Sequence, residues 1–93
     1  MKYLLDTHIL IWTLSNQKSL SENVLDILSN SANKIYVSAV SLWEISIKLS
    51  LGKLDIGNKL PTDIIFECEQ MNFDLINLTV QETATFVTIQ SQK

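Results

Sequence analysis

Residues 2 to 5, Lys-Tyr-Leu-Leu, are mostly apolar and do not alternate. That pattern fits a strand buried on both faces of a parallel sheet. Ile9 to Leu14 read as a short helix. Ser19 or Ser21 can cap the next one: Ser19 with Glu22 fits a capping box, and Val24, Leu25 and Leu28 fall on one face. Ile35-Tyr36-Val37 has the β-branched and aromatic content of a second strand. The spacing then predicts a helix from about Val40 to Leu51, stopped at Gly52. Pro61 opens another, in which Ile64, Cys68 and Met71 recur at helical spacing. Leu75 to Leu78 is a weaker third strand. Thr79 with Glu82 forms a capping box for a last helix carrying Val80, Ala84 and Val87 and ending near Gln90. Strand and helix alternate throughout, which predicts an α/β fold with a parallel sheet and right-handed crossovers.

Composition narrows the picture. A chain of 93 residues has room for one core, so residues 1–93 are read as a single domain. Two glycines and one proline are few, which favours long regular elements over a many-turned sandwich or barrel. No apolar stretch reaches the roughly 20 residues of a membrane span, and Met1-Lys2 leads into no signal-peptide pattern. A single cysteine, Cys68, excludes an internal disulfide and any multi-cysteine metal site, so the expected setting is a reducing cytoplasm. Seven lysines, no arginine and ten acids give a net charge of −3. A basic surface therefore does not drive binding to nucleic acid. If the chain handles a polyanion, a metal ion or a partner must supply much of the positive charge.

Asp6 closes the first strand, and open parallel sheets place their ligand crevice just beyond the carboxyl ends of their strands. Desolvating a carboxylate there is costly without a cation, a metal or good donors. Asp6 can equally cap the helix that starts near His8, and one aspartate can do both. On a helical wheel Val40, Trp43, Ile47 and Leu51 form an apolar arc with Glu44 inside it. A capping box with Ser41 or an i,i+4 pair with Lys48 would explain Glu44, but such a pair contributes only about 0.2–0.5 kcal/mol on a surface. If the arc faces the core, a bound cation accounts for Glu44 better. His8, the only histidine, cannot build a histidine metal site and reads as a packed residue. Cys68, on the apolar face of its helix, reads as inert packing. No glycine-rich phosphate loop occurs. Among scattered lysines, Lys48 and Lys53 flank the Glu44 helix and could meet phosphate.

The run Leu4-Leu5-Asp6-Thr7-His8 with Trp12, then Leu20-Ser21, then Val37-Ser38-Ala39-Val40-Ser41-Leu42-Trp43-Glu44-Ile45-Ser46-Ile47-Lys48, then Gly52-Lys53-Leu54, resembles PIN-domain proteins. The match is closest to VapC-like toxins of bacterial type II toxin–antitoxin pairs. It spans the whole chain, more loosely after about residue 60. The resemblance implies a three-layer α-β-α fold and a metal-dependent endoribonuclease that holds Mg²⁺ or Mn²⁺ on carboxylates at the carboxyl edge of the sheet. By the same resemblance Asp6 and Glu44 are the first two acids, Thr7 and Ser38 match positions that orient them, and the partners are RNA and a cognate antitoxin.

One departure from the family pattern carries expectations of its own. A His-(Arg/Lys)-Asp-Pro-Phe-Asp block, source of the third acid, usually follows the helix that here ends near Gln90; this sequence stops at Ser91-Gln92-Lys93. Asp55, Asp63, Asp74 and Glu82 do not match the missing acids. Two carboxylates with waters bind Mg²⁺ weakly, so impaired cleavage is expected, with a non-catalytic interaction or oligomerisation module as the alternative. With the family's C-terminal strands missing, Tyr3 to Leu5 would form an exposed apolar sheet edge, hidden by homo-oligomerisation or by another polypeptide.

Overall fold

The computed structural model describes residues 1–57, 59–78 and 80–89. The elements follow in the order β1 (Lys2–Leu5), α1 (Thr7–Ser15), a 3-10 turn (Gln17–Ser19), α2 (Glu22–Ser29), β2 (Lys34–Ser38) and α3 (Ala39–Ser50). Then come α4 (Pro61–Gln70), β3 (Asp74–Ile76), α5 (Val80–Thr83) and β4 (Val87–Ile89). The sheet has the order β3-β2-β1-β4 and all its pairings are parallel. This is the expected three-layer α/β architecture. Local signals explain most boundaries. Ser21, not Ser19, caps α2 by accepting from the Val24 amide at 3.2 Å. Gly52 ends α3 with φ +69°, a conformation glycine adopts without strain, while the Lys53 amide reaches back to the Lys48 carbonyl at 2.9 Å. Asp63 accepts from the Leu60 amide at 2.8 Å at the start of α4.

The expected last helix is overturned. Helix α5 stops at Thr83, and Val87–Ile89 form a strand instead. The run Thr85-Phe86-Val87-Thr88-Ile89 is β-branched and aromatic, which suits a pleated surface better than a helix. It also meets a strand edge whose amides and carbonyls need partners. Tyr3, Leu4 and Leu5 pair with Val87, Thr88 and Ile89, and Phe86 packs edge-to-face on Tyr36 with ring centroids 4.9 Å apart. Strand β1 is therefore interior, and the expectation of an exposed edge at Tyr3 to Leu5 does not hold. The Thr79 half of the predicted capping box lies outside the described residues.

The core gathers Leu5, Leu10, Val37, Ile45, Ile64 and Cys68. Helix α3 presents a face other than the one expected. Ile45 is 1% exposed and Ser41 is buried, whereas Trp43 is 64% exposed and Val40, Ile47 and Leu51 also face solvent. The helix has two apolar faces, one through Leu42, Ile45 and Leu49 and one through Val40, Trp43, Ile47 and Leu51. A wheel cannot choose between them; packing against α1, α4 and β2 does.

This roll predicts unequal effects of equal truncations. Ile45→Ala should lower stability by about 2–5 kcal/mol, as for a filled core site. Ile47→Ala should lower it by less than about 1 kcal/mol, as for a surface site. Urea unfolding midpoints would distinguish them, and equal losses would mean that α3 is turned the other way.

Candidate active site at the carboxyl edge

Strands β1 and β2 pair with Leu4 opposite Tyr36, so two residues further on Asp6 stands level with Ser38. Each of these residues caps the helix it leads into. The Asp6 carboxylate accepts from the His8 amide at 2.7 Å, and the Ser38 hydroxyl accepts from the Val40 amide at 3.1 Å. Two helices thus begin side by side at the carboxyl edge, and the positive ends of their dipoles favour negative charge there. The Asp6 amide donates to the Ile89 carbonyl at 2.9 Å, which ties the same point to β4. Between the two helix starts, the Thr7 hydroxyl donates to the Ser41 hydroxyl at 2.9 Å, both residues being buried.

Asp6 is therefore a helix cap, one of the two roles its position allows. His8 is largely exposed, with Nδ1 3.8 Å from the Asp6 carboxylate. Glu44 is half-buried and lies six residues beyond Ser38, about 9 Å along α3 at 1.5 Å per residue. In an α-helix the Cα–Cβ bond tilts toward the helix start, which is the end of α3 nearer Asp6. Among the described residues no hydrogen bond or ion pair engages Glu44, so the surface pairing with Lys48 is not formed. Nor is Glu44 part of a capping box with Ser41, because the cap of α3 is Ser38.

Lys48 and Lys53 lie at the other end of α3, about 15 Å or more along the axis from Ser38. Asp55 and Asp63 are engaged by the backbone amides of Gly57 and Leu60, and Asp74 opens β3. Among the described residues no group of three or more His, Cys, Asp or Glu side chains could hold a metal. The donor chemistry of Asp6 and Glu44 nevertheless fits Mg²⁺ or Mn²⁺: both offer hard carboxylate oxygens, and Glu44 pairs with no lysine among the described residues. Mg²⁺ keeps several waters and commonly takes only one or two protein carboxylates with substrate phosphate.

An acid following an interior strand of a parallel sheet, beside a second helix start, is the arrangement this small α/β domain presents at its carboxyl edge. The PIN domain family model matches residues 3–93, and the chain belongs to that family. PIN domains are generally nucleases that act on RNA and typically use divalent metals. No curated protein and no solved structure matches the chain with significance. Among the described residues no helix is long and apolar enough to cross a membrane.

Cys68 has no part in this site. It is fully buried, and burial pushes its thiol up to about 11 from an ordinary value of 9.0, with the charges of Glu67 and Glu69 adding to the shift. The native thiol should resist a disulfide reagent at pH 8 and react at once in denaturant. A raised folded value also means stability that is complete below pH 9 and declines as pH rises through 9 toward 11. Cys68→Ala should flatten that decline in thermal melts.

Proposed function

We propose that the chain is a PIN nuclease of VapC type, an endoribonuclease in which Asp6 and Glu44 are the metal ligands. The observation that carries the reading is an aspartate at the carboxyl end of an interior strand of a PIN domain. When bound, Mg²⁺ or Mn²⁺ supplies charge stabilisation at the scissile phosphate and makes a water more acidic. The protein side of the chemistry is orientation. Ser38 fixes the start of α3 through its cap, and Thr7 holds the start of α1 beside it. The paired helix starts favour the negative phosphate, which matters in a chain of net charge −3. Lys48 and Lys53, at the far end of α3, are assigned to phosphates away from the cleaved bond.

The same reading includes a cytoplasmic setting, a cognate antitoxin as partner and self-association. With β1 paired on both sides, the surface that supports association is the exposed face of α3 carrying Val40, Trp43, Ile47 and Leu51. A second reading, a non-catalytic interaction module, is favoured by one observation: only two acids are assigned to the site, and no larger metal-binding cluster occurs among the described residues.

Incubation of structured RNA with the protein and Mn²⁺ separates the two readings. The nuclease reading predicts cleavage that Asp6→Asn and Glu44→Gln each reduce by about 100-fold or more, on the scale of losing a positioned catalytic group. Equal rates in wild type and Asp6→Asn would remove Asp6 from the mechanism. Absence of cleavage with intact folding would favour the interaction module.

A further inference from the structure

The buried contact between Thr7 and Ser41 needs a reason. Taking two hydroxyls out of water is unfavourable, and one hydrogen bond between them recovers little net free energy. A valine and an alanine would fill the same space without that penalty. The 2.9 Å contact between the two hydroxyls joins residues 34 apart in the chain, and both are buried.

The roll of α3 supplies the reason. Packing turns Ile45 and Leu49 inward, but apolar contacts are non-directional and set the last degrees of roll only loosely. The cap and the strand register fix where α3 begins, and packing chooses its inward face; what remains is a small roll about its own axis. A roll of about 20° moves a side-chain end 5–6 Å from the axis by roughly 2 Å. Metal ligation tolerates only about 0.2 Å. The Thr7–Ser41 bond closes that freedom: Thr7 directly follows Asp6, and Ser41 lies one turn before Glu44.

We propose that Thr7 and Ser41 are positioning residues whose buried hydroxyl bond sets the roll of α3 and thereby the placement of Glu44 relative to Asp6. Ser41 takes a role in the site that resemblance alone did not give it. The inference rests on Asp6 and Glu44 being metal ligands.

Calorimetric titration with Mn²⁺ alone, without RNA, tests it. Thr7→Val, nearly isosteric, should weaken Mn²⁺ binding by about tenfold or more, the usual effect of losing a group that orients a metal ligand. Thr7→Ser, which restores the hydroxyl, should return the affinity to within about twofold, whereas a role in packing the methyl group alone predicts no rescue. Ser41→Ala reads the same bond from its other end and serves if Thr7→Val does not fold. Folded Thr7→Val or Ser41→Ala with wild-type affinity would overturn the positioning role and leave the metal site standing. A folded wild type that takes up no Mn²⁺ would overturn the metal site, and the positioning role with it.

Discussion

Two neighbouring parallel strands lead into residues that do double duty, and the arrangement of the domain follows from that. Asp6 directly follows β1 and caps α1; Ser38 ends β2 and caps α3. Because the strands pair in register, both caps stand at one height on the sheet, and the polypeptide leaves it there twice. A shift of one residue in either strand would move its cap out of line and turn its buried side chains to the other face. The alternation of buried and less buried positions along β2, with Ile35 and Val37 inside, holds the register against such a slip.

What could be read in advance divides along a physical line. Elements with strong local signals were legible: β1 from its apolar run, α3 from its length and its glycine stop, α4 from Pro61. The capping role of Asp6 was legible because strand end and polar type coincide. Strand β4 was not, because Val80, Ala84 and Val87 also fit helical spacing and only the edge offered by β1 tips residues 87–89 into a strand. The inward face of α3 was missed for a related reason. Its outward face carries the larger side chains, and the inward one includes Ser41, whose burial depends on a partner 34 residues away. A hydroxyl beside Leu42 and Ile45 on the wheel was the available signal. The tether by Lys59, which donates to the Leu14 carbonyl and pairs with Glu67 at 2.9 Å, has no local signal at all.

Charge and packing converge on α3. The helix contributes Ile45 to the core, Ser41 to the contact between helices, Glu44 to the candidate site and an apolar stripe to solvent. An acidic protein without arginine has little means of holding RNA by surface charge alone. A divalent ion on Asp6 and Glu44 would supply that attraction where the chemistry needs it. The outward stripe gives α3 a second surface, so whatever binds there acts on the helix that carries Glu44.

The most direct test is the anomalous difference map of a crystal soaked in Mn²⁺. The account predicts one peak at the carboxyl edge of the sheet, with a carboxylate oxygen from Asp6 and one from Glu44 each about 2.1 Å away. Contradiction would be a map in which the two carboxylates face separate regions, or in which the ion sits on neither.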